Sequence, residues 1–412
     1  MKELLKNPVL FFMALSIIVE CTSLGNANIT ALVFIVTSVS IFLKDGVKPF
    51  KRRSLLLYLG FVAIVLIYAG FGKGTLSSVT FKTRFFFFIT MFSVFMMSYH
   101  VKTLNSKQIN GLFKVAIIAL CYSIIGTTRV SFIETRAIRA YGGFGEVVGD
   151  EMELASQYSS IGMMSYSLAH AMSVVAVGLS VLILLSKSKW LKIIAAVMLL
   201  LTIRLLFVMT ITTALLLAVF GVAVVFANYL SKGRTFVTIV LTVLIAAVFF
   251  MTGLSASVLD FSEGVNVQLY RKLADAFASV ELGTGEGQAG YRQELYAASV
   301  RTFFSNPLFG WGSDKGSHLI IGNHSYFFDY LAYFGVFALL FFVAWWKEYK
   351  SMNQFVIKKY RSYYYFSFIP VVGLVAMKGA SVCGSLPFMS LVLIQVIFRF
   401  LTENDESVSL AN

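Results

Sequence analysis

The chain is poor in the residues from which soluble catalytic domains are built. Charged side chains make up only 13% of its 412 residues, against roughly a quarter in a soluble domain. That shortage, with 58% hydrophobic residues and a mean hydropathy of +0.81, excludes a water-soluble fold and leaves an integral membrane protein. Its three cysteines, Cys21, Cys121 and Cys383, sit in or beside apolar runs with no CxxC pair. That excludes a disulfide framework or a thiolate metal site. Four histidines give no compact ligand pair, the nearest set being Asp314, His318 and His324, so no metal and no cofactor are expected. The glycine-rich stretch GTGEGQAG (283–290) follows no strand, which excludes a dinucleotide fingerprint. Acidic residues number 20 against 34 Lys and Arg, a net charge of +14. In a membrane protein this excess belongs to the loops on the cytoplasmic side, so no nucleic-acid partner is implied.

What is there is apolar helix. Runs of membrane-crossing length recur about twelve times, near 8–25, 27–43, 54–71, 85–100, 111–128, 157–185, 189–205, 208–230, 235–254, 324–346, 364–380 and 384–402. Residues 189–230 as one helix would be about 60 Å long, twice the hydrocarbon core, so a break is expected between Arg204 and Thr213. The N-terminal run has signal-like order without a cleavage site and reads as an uncleaved first helix. With the N-terminus inside, KDGVKPFKRR (44–53), SKGR (231–234) and KEYKSMNQFVIKKYR (347–361) all fall on the cytoplasmic side. The expected fold is therefore an all-α polytopic membrane protein, one integral domain over 1–412, with about twelve spans and both termini cytoplasmic. Two loops are long and lie outside. The first is 129–156. The second, 255–323, joins the ninth and tenth spans and holds two short helices. In one of these Leu269, Leu273, Phe277 and Val280 share a face, and the other is YRQELYAASVRTFF (291–304).

The candidate chemistry clusters around NPLFGWGSDKGSHLIIGNHSYFFDYLAYFG (306–335). Asn-Pro is expected to stop the preceding helix. Gly310 and Gly312 permit a sharp return that delivers His324 opposite Arg292. Asn323 reads as an N-cap with His324 in the first turn. That end of a helix attracts anions and disfavours an imidazolium, leaving a ring able to accept a proton. Tyr326, Asp329, Tyr330 and Tyr333 recur at helical spacing as a polar stripe, which faces either a wet cavity or the interfacial belt. Arg292, Tyr296, Ser299 and Phe303 share a face of the preceding helix, and Arg301 lies on its far side, paired with Glu294. Arg204 stands within an apolar run, where arginine is costly. Arg136 and Arg139, three apart in the first outer loop, could clamp a phosphate. His170 reads as a satisfied core histidine and Lys378 as a snorkelling lysine.

The order Arg292, Tyr296, Pro307-Leu308, Gly310, Gly312, His324 and Gly335 resembles the O-antigen polymerase and O-antigen ligase superfamily of bacterial polysaccharide enzymes. The match covers about 45 residues. Tyr296 stands where that family has Trp and Ser325 where it has Asn, and where it often has Ser-Arg the candidates are Thr202-Ile203-Arg204 or the arginine-free Thr210-Ile211-Thr212-Thr213. The resemblance implies a GT-C-like, metal-independent, inverting glycosyltransferase of the bacterial cytoplasmic (inner) membrane, with its active site on the outer face. Such an enzyme, an O-antigen, capsule or exopolysaccharide polymerase, moves glycan from an undecaprenyl-diphosphate-linked donor to a hydroxyl of a lipid-linked acceptor. Its partners are the lipid-linked oligosaccharide, the bilayer and a chain-length regulator. Carried onto these positions, Arg292 holds the diphosphate and His324, or a carboxylate such as Asp329, is the base. Arg204, Arg136, Arg139, Asp329, Tyr326, Tyr330 and Tyr296 contact substrate. A ligase acting on lipid A core, a polysaccharide flippase and a non-catalytic assembly protein are the alternatives.

Overall fold

The computed structural model describes residues 6–22, 27–70, 78–133, 163–265, 267–282, 288–311, 321–380 and 383–409. Every element among them is helical, and no strand occurs among the described residues. In chain order the helices are α1 (Pro8–Thr22), α2 (Ala27–Asp45), α3 (Arg53–Gly70), α4 (Ser78–Val101), α5 (Ser106–Ile133), α6 (Tyr166–Leu185), α7 (Lys189–Val208), α8 (Thr212–Leu230) and α9 (Thr235–Met251). They continue as α10 (Leu254–Val265), α11 (Val267–Leu282), α12 (Gln288–Ser305), α13 (Tyr326–Phe334), α14 (Ala338–Ser351), α15 (Arg361–Phe366), α16 (Ile369–Met377) and α17 (Ile394–Ser409).

Among the described residues, six stretches are long and apolar enough to cross a bilayer: Ser106–Phe132, Tyr166–Leu185, Lys189–Val208, Thr212–Leu230, Tyr326–Phe355 and Leu386–Asp405. The pair α9–α10 makes a seventh if its 60° bend is counted as one broken span. The expected twelve is not reached by this measure, because helices such as α1 are apolar but shorter. The α6 and Leu386–Asp405 spans form the centre of the bundle, with 83% and 89% of their apolar windows buried, whereas α7 is peripheral at 28%.

The break expected between Arg204 and Thr213 falls at Met209–Ile211. Ile211 N–H donates to the Leu206 carbonyl (3.0 Å) and Thr210 N–H to that of Phe207 (3.1 Å), with Thr210 at φ 55°. This is a Schellman closure, made with a β-branched residue where glycine is usual. The long loop carries three helices rather than two. Beyond α9 the chain bends at Gly253 into α10, and α11 then docks Leu269, Leu273 and Phe277 on Phe207, Leu216 and Phe249. These are residues expected on that face, and the side chain of the fourth, Val280, lies outside the description. The loop expected from 129 starts later than the sequence indicates, since α5 continues to Ile133.

α12 ends at Ser305, directly before Asn306-Pro307, as the proline requires. The turn that follows docks backbone to backbone on the break between α13 and α14. Gly310 (φ 66°) and Gly335 (φ 60°) face each other there. A Cβ on Gly310 would lie 2.5 Å from Gly335 N, and one on Gly335 would lie 2.4 Å from the Leu308 carbonyl oxygen. Gly335→Ala is therefore expected to lower the melting temperature in detergent much more than Gly46→Ala. Gly46 has the same backbone (φ 59°) with nothing within 4 Å of its Cβ, so its substitution carries only the conformational cost of about 1 kcal/mol. Equal shifts in the two variants would show that the dock contributes nothing.

The other end of the bundle is tied by a buried ion pair. Glu348, near the C-terminus of α14, contacts Lys102, and both side chains are 1% exposed. Arg52 (3.2 Å) and Ser98 (2.9 Å) donate to the same carboxylate, and Ser54 also donates to it. Lys102 additionally donates to the Ser351 hydroxyl (2.6 Å). Burial pulls the Lys102 ammonium down to about 8 against the opposing field of Glu348.

Candidate functional site

The ends of α6, α7, α8 and α16 meet α11 and α12 around a cavity of about 370 Å³, within the range of small-ligand sites. Arg292 lines it from the first turns of α12, Lys272 and Asp275 from α11, and Lys378 from the end of α16. Tyr166 and His170 come from α6, and Thr210, Thr212 and Thr213 from the strained α7–α8 turn. No side chain caps α8, so the amides of its first turn add to the positive character of that wall. Deeper in, Leu216, Leu217 and Phe220 continue the wall as apolar surface, with Phe220 43% exposed. The cavity thus joins a cationic head, carrying three cations and one carboxylate, to a greasy flank.

His170 is 1% exposed and its Nδ1 lies 3.0 Å from the Tyr166 carbonyl oxygen, one turn back. That contact fits the core role expected of it, but the residue also forms part of the cavity wall. Lys378 likewise lines the cavity, which snorkelling alone does not describe. Lys272 and Asp275 carried no signal of their own. They flank the Leu269/Leu273 stripe on the amphipathic α11, and only the docking of that stripe turns them inward.

Among the described residues, Arg292 lines the cavity as expected of a site residue, and so does the Thr210-Ile211-Thr212-Thr213 stretch. His324 is exposed and stands beside it, not among its lining residues. Its ring lies 6.5 Å, edge to face, from that of Tyr291, the residue next to Arg292. A Cβ on Gly379, the neighbour of Lys378, would meet the Asn323 carbonyl oxygen at 2.4 Å. The segment carrying His324 is thus pressed against the end of α16. A Cβ on Gly322 would come 2.3 Å from the Leu295 carbonyl oxygen of α12. Both approaches need glycine. His324 Nδ1 lies 2.9 Å from the Gly322 carbonyl oxygen. An acceptor there holds the proton of a neutral ring on Nδ1 and leaves Nε2 with its lone pair. The cap is not Asn323 but Ser325, whose hydroxyl accepts from Phe328 N–H, and the helix starts at Tyr326. His324 therefore precedes the helix instead of sitting in its first turn. Asn323 takes φ 56°, and so, of the three non-glycine residues with positive φ among the described residues, Thr210 and Asn323 fall in this region, a concentration typical of functional sites.

The tyrosine stripe does not face the cavity. Tyr326 and Tyr330 are buried among Phe61, Phe87, Phe341 and Phe342, and Tyr333 donates to Asn323 Oδ1 (3.0 Å). Asp329, 4% exposed, accepts from Ser299 (2.7 Å) and from the Ser325 amide (3.0 Å), which clamps α12 to the start of α13. Its burial and these two bonds give it a structural role. Tyr296 is half-buried and donates to the Met377 carbonyl (3.0 Å), pinning α12 to α16. Arg204 faces away, with its guanidinium 4.1 Å above the Phe132 ring and bonded to Ser131 (3.0 Å). Arg301 is exposed and forms no ion pair with Glu294 among the described residues. Those two lie seven positions apart, beyond the reach of a helical pair. Arg136, Arg139, Gly312, Asp314 and His318 lie outside the described residues. No group of three potential metal ligands occurs among the described residues.

No protein-family model matches this chain, and no curated protein matches it.

Proposed function

We propose that the protein is a polysaccharide polymerase, a metal-independent glycosyltransferase that acts on a polyprenyl-diphosphate-linked donor at the cavity end of the bundle. The observation that carries this reading is the cavity's two-part wall. Arg292, Lys272 and Lys378 beside an uncapped helix start suit a diphosphate, and Leu216, Leu217 and Phe220 suit the lipid attached to it. An arginine fork can hold the diphosphate in two-point contact and stabilise the charge it gains as the bond to the sugar breaks. A lipid diphosphate is a good leaving group, so proton removal from the acceptor hydroxyl is the remaining task. His324 is the base in this reading. It stands at the exposed rim, where an acceptor sugar arrives from solvent, with Nε2 free of the proton held on Nδ1. In this reading the chain makes twelve traverses with both termini in the cytoplasm, and the cavity opens on the outer face of a bacterial inner membrane.

Purified protein in vesicles, given a lipid-linked repeat unit, should produce a ladder of longer lipid-linked products. Transfer only when lipid A core is supplied would make it a ligase. Movement of the unmodified donor between leaflets, without new glycosidic bonds, would make it a flippase and sink the transferase reading.

A further inference from the structure

α12 and α13 run side by side in the same direction, and their contacts step down both together. Tyr291 neighbours His324, Ser299 bonds Asp329, and Val336 N–H donates to the Pro307 carbonyl (2.8 Å). The chain then turns over Asn306–Gly310 and starts back, with Trp311 N–H donating to the Ala332 carbonyl (3.0 Å). Gly322, whose amide donates to Ser299 (2.9 Å), lies at the middle step, and His324 beside Tyr291 at the first. The tip of this excursion lies at Gly335. That residue is nine positions into the span Tyr326–Phe355, about 14 Å along its axis, which is close to half of a roughly 30 Å hydrocarbon core.

We propose that α12 and its tip form a re-entrant element, which enters the bilayer from the cavity side, turns near the midplane and seats the tip against lipid acyl chains. Two independent features of the tip support this. Its surface is apolar, with Phe304 71%, Leu308 59%, Phe309 56% and Trp311 42% exposed. Several of its polar groups are paired within the protein. Gly310 N–H donates to the Asn306 carbonyl (2.8 Å), the Asn306 amide donates to the Gly310 carbonyl (2.7 Å), and the Trp311 indole donates to Ser305 (2.7 Å). Irregular backbone survives at membrane depth only when its hydrogen bonds are met internally. A surface turn would have water for those bonds and no reason to present four large apolar side chains together. Arg301 is the single charged residue in the deeper half of α12, and its side chain is long enough to snorkel to the headgroups. The element holds Arg292 at the membrane surface because its far end is anchored in lipid. The proposal stands apart from any particular reaction.

Spin labels placed singly by Phe304→Cys, Leu308→Cys and Phe309→Cys, in the full chain reconstituted in phospholipid vesicles, test it. Cys121→Ser supplies the background, since Cys21 and Cys383 are buried. At positions 304, 308 and 309 collisions with oxygen should exceed those with a water-soluble nickel chelate several-fold, and Gln293→Cys, exposed near the start of α12, should show the reverse. Nickel access at positions 308 and 309 equal to that at 293 would put the tip in water. Exclusion of both reagents would mean that protein, such as a second copy of the chain, covers the tip. Either result overturns the proposal.

Discussion

Arg292→Ala is expected to lower glycan transfer by at least about a hundredfold, the loss typical when one preorganised charge donor to a developing anion is removed. Arg292 lines the cavity from α12. Tyr296, one turn further along, is pinned to Met377, and Ser299, a turn beyond that, to Asp329. The guanidinium is thus held by a helix that is fixed without it, and the variant should purify folded with an unchanged melting temperature. Arg292→Lys keeps the charge but loses the fork, and its activity should fall between the two. Lys272 and Lys378 share the cavity and remain in the variant, so donor affinity should weaken less than turnover. Retention of near-normal activity by Arg292→Ala, with Arg292→Lys indistinguishable from the parent, would remove the arginine from the chemistry.

Glu348→Ala is expected to destabilise the protein by about 3–5 kcal/mol, the range for removing one partner of a buried ion pair. The change strands Lys102, whose side chain is 1% exposed, and leaves Arg52, Ser54 and Ser98 without their shared acceptor. Removing both charges tests the cause. If the penalty is the uncompensated ammonium, Glu348→Leu with Lys102→Met should recover most of the stability lost in Glu348→Ala. The measurement is thermal or denaturant unfolding in detergent. No loss in Glu348→Ala, or a double variant worse than the single, would show that the pair does not hold this end of the bundle together.

The sequence made local events legible and left their meeting points hidden. Composition was enough for an all-helical membrane chain. The length of 189–230 forced a break, which falls at Met209–Ile211, and Asn306-Pro307 stops α12 where a proline must. Periodicity placed Tyr326, Asp329, Tyr330 and Tyr333 on related faces but could not say what those faces meet. Tyr326 and Tyr330 meet an aromatic core, and Asp329 is consumed by Ser299 and Ser325. The cap at His324 was misplaced by two residues because Asn323 and Ser325 are both good caps, and only the backbone decides between them. The cavity residues 170, 272, 292 and 378 come from four helices, and no spacing rule links positions so far apart. Glu348 was read with the cytoplasmic charges of KEYK. It is buried because α14 runs on past it to Ser351.

The most direct measurement is a structure of the protein with a polyprenyl diphosphate bound. The diphosphate should lie in the cavity within hydrogen-bonding distance of the Arg292 guanidinium, with the lipid leaving along Leu217 and Phe220 and the sugar-bearing end turned toward His324. A diphosphate bound elsewhere, with Arg292 and His324 both untouched, would contradict the assignment of this cavity as the seat of glycan transfer.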